Sequence, residues 1–298
     1  MIHKDFVNYR YNPVYSIVVD HKSLLKYKYN LNIIYADKGK LYKLRRAYGE
    51  MSKLYYIYSL YKEGSMTSDY VGLNHYSRYF NFTDNIPNFN NIFKNYDVIL
   101  NSPYFCKNGI RNQFCWCHGC KKYDEIIDII KEIKPDYYKA ALEINNSTLI
   151  YCCNLFIMKQ KDFLNYCEFI FDVLFEFDRR NNFTSDEDVF NYFKQFFPKN
   201  NTDSYRIILL QSRLQGFLAE RIGNIFFNKN FKRKKIFGFG NFKTNNKTKI
   251  EASNKNNINY FDVIYIIKKI NLIFLIFIAL LSFINIVLNK KIFKNILI

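Results

Sequence analysis

The chain has 298 residues, 49% of them hydrophobic and 19% aromatic, which excludes a disordered protein and leaves room for a sizeable core. Its formal charge is +18, but residues from 228 onward carry 14 Lys and Arg against 2 acids, leaving 30 against 24 in residues 1–227. The body is therefore only mildly basic, and no nucleic-acid partner is expected.

In chain order, "VYSIVVDH" and "LNIIYAD" are short β-branched runs that read as strands. In "LYKLRRAYGEMSKLYYIYSLYKEG", Leu44, Tyr48, Met51, Tyr55 and Tyr58 recur at helical spacing until Gly64, which predicts one amphipathic helix. "DYVGLNHY" and "NYDVILNSP" follow as strands, the second closed by Pro103. "YDEIIDIIKEIKPDYYKAALEI" predicts a helix to about Lys134, a stop at Pro135 and a resumption beyond it. "TLIYCCNLFIMK" is an uncharged strand, "KDFLNYCEFIFDVLFEFDRR" a long amphipathic helix, and "SDEDVFNYFKQFF" a helix capped by Ser185. "RLQGFLAERIGNIFF" is a short helix with Glu220 and Arg221 among apolar neighbours. The alternation predicts an α/β domain with a mostly parallel sheet over residues 1–228.

Residues 229–262, rich in Lys and Asn, read as a solvated linker. Residues 263–298 read as a membrane anchor, because "INLIFLIFIALLSFINIVL" (270–288) is charge-free between lysine pairs. As a helix it spans about 28 Å, close to the ~30 Å hydrocarbon core. No apolar leader opens the chain, and Lys and Arg are in excess before the run, so the expected arrangement is single-pass with the domain cytoplasmic.

Phosphate-binding fingerprints of the GxGxxG and GxxxxGK[ST] types are absent, as is a GxSxG elbow, which removes dinucleotide oxidoreductases, P-loop NTPases and serine hydrolases of that type. Seven cysteines in a cytoplasmic setting are expected to be free thiols. "FCWCHGCKK" (Cys115, Cys117, His118, Cys120) has poor spacing for a single zinc tetrahedron, and no metal ligand is assigned. Asp186-Glu187-Asp188 follows Ser185 at a helix start, where acids complement the macrodipole. "DYVGLNHYSRYF" carries His75 and Arg78 just beyond a strand, which is either a ligand position or an ordinary strand-to-loop transition.

Three segments taken in order, around "DYVGLNHYSRYF", "CCNLFIMKQKDFLNYCEFIFDVLFEFDRR" and "RLQGFLAERIGNIFF", resemble a bacterial family of capsular and exopolysaccharide loci, long called a domain of unknown function. That family carries "HYRRYF", "NMFIMK" and "GFLAER" and resembles nucleotide-sugar glycosyltransferases of the GT-A type. The likeness covers approximately residues 14–228. It implies a GT-A-like, Rossmann-like domain that moves a hexose from a nucleotide-sugar donor to a lipid-linked surface glycan acceptor. Under it, Glu220 is the expected catalytic base, and His75 and Arg78 face the diphosphate. Tyr76, Asn154, His118, Arg213 and Arg221 are expected to contact substrate or orient Glu220, and Glu50 matches the acid opening the family's second helix. Ser77 departs from the first Arg of "HYRRYF", and no D-x-D ends that strand. The cofactor is thus open between none and a Mn or Mg ion held elsewhere. Three alternatives stand beside this reading: a noncatalytic, membrane-tethered carbohydrate- or nucleotide-sugar-binding protein on a degenerate transferase fold, nucleic-acid binding confined to the basic linker, and a Glu220–Arg221 pair that is purely structural.

Overall fold

The computed structural model describes residues 16–19, 32–36, 39–74, 78–80, 82, 87–197 and 202–241. The chain divides into two units, residues 1–253 and 254–298, and all the described residues belong to the first. Strands β1 (Ser16–Val19) and β2 (Asn32–Tyr35) pair in parallel. The helix expected from Leu41 until Gly64 is broken: a 3-10 turn (Tyr42–Leu44) runs into α1 (Arg45–Tyr48), and α2 (Met51–Lys62) starts after Gly49 and Glu50. Gly49 adopts φ 57°, outside the helical region, so the apolar period continues across a corner.

Next come β3 (Tyr70–Leu73), β4 (Arg78–Phe80), α3 (Phe89–Asn95), β5 (Val98–Asn101) and β6 (Tyr104–Phe105). Helices α4 (Ile110–His118), α5 (Cys120–Ile133) and α6 (Tyr138–Asn146) lead to β7 (Leu149–Ile150) and β8 (Phe156–Lys159). Pro135 ends α5 as its missing N–H dictates, and a 3-10 turn restarts the chain into α6. The long α7 (Gln160–Asn181) is followed by α8 (Asp186–Lys194), α9 (Thr202–Gln211), α10 (Leu214–Asn230), β9 (Lys234–Phe237) and β10 (Phe239–Asn241).

The central sheet has the order β3-β8-β5-β9. β3, β5 and β9 share one direction, in keeping with a mostly parallel arrangement, but β8 runs against them between β3 and β5 and makes both of its ladders antiparallel. Side chains alternate across the pleat. Val71, Val98, Leu100, Phe156 and Met158 enter the main core with α5, α7 and α10, whereas Ile99 and Ile157 pack with Phe80, Phe93 and Leu155 on the other face. In the main core the ring of Tyr166 on α7 stacks on Phe227 of α10, with centroids 5.5 Å apart.

β9 and β10 overturn part of the expected linker. The segment after residue 228 completes α10 and then supplies β9, which pairs in parallel with β5, and β10, which pairs with β4. Its lysines suit an edge strand, where cationic side chains reach water beside an unpaired backbone. Asp186-Glu187-Asp188 does cap helices. Ser185 and Asp188 form a capping box, and the Asp186 carboxylate accepts from the Arg46 and Ala47 amides at the start of α1. Among the described residues no helix is long and apolar enough to cross a membrane; the 270–288 run lies outside them.

Candidate active site

In the central sheet Leu73 and Leu100 both lie opposite Phe156. The carboxyl ends of β3 and β5 and the entry to β8 therefore share one edge of the sheet. The segment entering β8 there is Tyr151 to Asn154, and its backbone is unusual: Cys153 and Asn154 have φ of 68° and 51°. Asn tolerates the left-handed region, but Cys does so only when its surroundings hold it there.

Four side chains supply that hold. The Asn224 amide, buried on α10, accepts from the Tyr151 N–H and donates to the Tyr151 carbonyl, both at 2.9 Å. Glu220, one turn earlier, accepts from the Cys153 N–H at 3.0 Å. Asn154 Nδ2 donates to Glu50 Oε1 at 2.8 Å, and Arg78 Nη1 lies 3.1 Å from Cys153 Sγ. Asn224→Ala would strip both Tyr151 backbone groups of their partners. At roughly 1–3 kcal/mol for each group left without its partner, we expect a loss of about 2–6 kcal/mol, read as a lower urea midpoint with unchanged slope.

Two carboxylates and three arginines thus border one short loop. Glu220 Oε2 accepts from Arg221 Nη1 at 2.9 Å, and Arg221 also donates to Gln113 Oε1 at 2.6 Å and lies over the Phe114 ring. Glu50 Oε2 is 3.9 Å from Arg213 Nη2. Glu50 and Glu220 are largely buried, keeping 14% and 15% of their side-chain surface in solvent. Burial raises the Glu220 pKa above its ordinary value, the Arg221 charge opposes this, and the Glu50 charge adds to it. Burial likewise pushes the Cys153 thiol up to about 11, so it is a neutral neighbour of Arg78. The close seating of α10 depends on Gly216, where a Cβ would come within 3.2 Å of the Tyr48 carbonyl.

The sequence-predicted residues divide into three groups. Arg78, Asn154, Arg213, Glu220 and Arg221 come together around residues 151–154, joined by Glu50. His118, expected to contact substrate, is instead packed between Phe114 and Phe217 with Nδ1 2.7 Å from Gln211 Oε1. Burial pushes its pKa down to about 4, so near neutral pH it is an uncharged part of the wall behind Arg221. His75 and Tyr76 lie outside the described residues.

The expectation of free thiols also needs correction, because Cys115 and Cys120 form a disulfide. Gly119, at φ 79° between α4 and α5, turns the chain back so that the two Cα atoms are 4.3 Å apart. Three contributors escaped the sequence reading. Asn224 carried one usable signal, an amide inside the apolar run Ile222–Phe227, whereas the left-handed pair Cys153-Asn154 and the link from Glu50 to Asn154 left no local mark.

No curated protein matches the chain. Among solved structures, the apo structure of the bifunctional glycosyltransferase WbbM is similar, with a TM-score of 0.55 at 18% identity, over 78% of this chain. The chain spans only 42% of that protein, and the likeness concerns the fold. A family model described as a domain of unknown function, DUF4422, matches residues 1–197. That range takes in Glu50, Arg78 and Asn154, and it stops short of α10 with Glu220 and Arg221. With two thirds of its length matched by that model, the chain belongs to the DUF4422 family.

Proposed function

We propose that the chain is a glycosyltransferase that moves a hexose from a nucleotide sugar to a lipid-linked surface glycan. The observation that carries this reading is the meeting of Arg78, Arg213, Glu50 and Glu220 at the carboxyl edge of the sheet, on a fold similar to that of a glycosyltransferase. Open α/β sheets take their ligands at that edge.

In the proposed reaction an acceptor hydroxyl attacks the anomeric carbon. The bond from that carbon to the phosphate oxygen breaks, and the nucleoside diphosphate leaves with the electron pair. Arg78, with its sequence neighbour His75, stabilises the charge growing on the diphosphate. Glu220 takes the hydroxyl proton, for which a pKa raised by burial suits it. A carboxylate offers about four lone-pair sites, so the bonds from Cys153 and Arg221 leave room for a substrate hydroxyl. The same two bonds also favour the second reading, in which Glu220 and Arg221 are a structural pair and the protein binds sugars without turning them over.

The proposal includes the 270–288 run as a single membrane-spanning anchor with the domain on the cytoplasmic side, holding the enzyme where a lipid-linked acceptor lies. Its support is the absence of charge between Lys268-Lys269 and Lys290-Lys291.

A panel of nucleotide sugars tests the activity, each with and without chelator, scored for nucleoside diphosphate release and thermal stabilisation. A donor present at 100 times its Kd should stabilise by about 2.7 kcal/mol. We expect one donor to do so and to be slowly hydrolysed. Stabilisation without release, even with glycan acceptors, would support the noncatalytic alternative, and no response to any donor would sink both.

A further inference from the structure

Helix α9 faces the wrong way for an ordinary surface helix. Ser204 and Ile208 point inward, while Tyr205, Ile207 and Leu210 are exposed around Arg206. Neighbouring elements extend the patch. Phe196, just beyond α8, is exposed, and α8 meets α9 where Phe190 packs edge-on against Tyr205. At the other end the bond between His118 and Gln211 ties the close of α4 to the close of α9, and Trp116, two residues before His118, is 89% exposed. Lys121 on α5, Lys194 on α8 and Arg206 on α9 are exposed, with the exposed Glu187 towards the opposite end of α8.

We propose that the outward face of α9, flanked by Trp116 and Phe196, docks onto a bilayer surface containing anionic phospholipid. Exposed apolar patches of this kind mark interaction sites, and three features select lipid as the partner. Aromatic side chains at the edges of the patch suit headgroup depth, where amphipathic rings collect. The exposed Lys and Arg complement anionic headgroups. The 270–288 run, read as a membrane span, would keep the domain beside a bilayer, so the inference rests on the membrane reading of that run. Docking would also give the site an orientation, because only two residues separate Leu210 from Arg213, which lies beside Glu50.

Trp116 is the only tryptophan of the chain and reports on this face directly. The full chain is reconstituted with phosphatidylcholine vesicles, with and without phosphatidylglycerol, carrying brominated acyl chains. Docking predicts a blue-shifted Trp116 emission that the bromines quench by at least about half, more strongly with phosphatidylglycerol present. Ile207→Asp with Leu210→Asp should abolish both effects while the protein still sediments with the vesicles. Sedimentation of the native chain with unshifted, unquenched emission overturns the docking and leaves the anchor standing. Protein left in the supernatant overturns both. A blue shift without lipid that grows with protein concentration assigns the face to a second copy of the chain and overturns the proposal.

Discussion

Glu220→Gln is expected to lower turnover of the nucleotide sugar by a factor of about 10² to 10³, within the range for loss of a positioned general base, with donor affinity changed far less. Glutamine keeps an oxygen for the Cys153 N–H but leaves the buried Arg221 guanidinium without its counter-charge. A fall in turnover alone would therefore not separate a base from a structural pair. The pH profile does. Glu220 must be deprotonated to act, and burial raises its pKa, so the acid limb of kcat/KM should lie above the usual carboxylate range and vanish in Glu220→Gln. An unchanged acid limb in the variant would return Glu220 to a structural role. Arg78→Ala should cost a similar factor in turnover if Arg78 faces the leaving group, as removal of an oxyanion donor does, about 10²-fold or more.

The second large effect is on stability and comes from a buried acid away from the site. Asp178 on α7 accepts from the Tyr48 hydroxyl at 2.6 Å and from Gln215 Nε2 at 2.7 Å, joining α1, α7 and α10. Burial pushes its pKa up to about 7, and the two hydrogen bonds only partly offset this. The folded state therefore holds the proton more tightly than the unfolded chain, where an Asp has a pKa of about 3.9. Its contribution is complete below about pH 4 and is lost as pH rises towards 7, at about 1.4 kcal/mol per unit and up to about 4 kcal/mol in all.

His118 works in the opposite sense. Its folded pKa of about 4 lies below the unfolded value of about 6.5, so its contribution is present above about pH 6.5 and is lost on acidification towards 4. The two slopes oppose each other between about pH 4 and 6.5, and these two groups should leave the native protein with a nearly flat stability there. Asp178→Asn should remove one of them. Gln215, whose Oε1 is buried and unpaired, can turn its amide to accept from the new Asn amide. Urea midpoints should then rise near pH 8 and fall by up to about 3 kcal/mol from pH 6.5 to 4. A variant that keeps the native pH dependence would show that Asp178 is ionised in the folded protein near neutral pH.

Much of the fold was legible in the sequence because its signals are local. The apolar period of α7, the proline that ends α5, Ser185 at the start of α8 and the strands β3, β5 and β8 each need only neighbours a few residues away. The corner at Gly49 and the strands β9 and β10 were not legible. An apolar stripe continues through a single positive-φ glycine, and a lysine-rich edge strand has the composition of a linker. Of the candidate site, the sequence by itself determined the residue types: an acid and arginine on an apolar helix, an arginine beyond a strand, and an asparagine ahead of another.

Tertiary structure alone decided which of these meet. Glu50 and Asn154 are 104 positions apart, and Cys153 and Glu220 are 67 apart. What joins them is the antiparallel insertion of β8 between β3 and β5 together with the seating of α10 against α1 and α7. It was also packing that took His118 out of the expected site, enclosing the ring between Phe114 and Phe217. A histidine beside three cysteines is the same string of letters whether its ring faces water or a helix, because burial is a property of the whole fold.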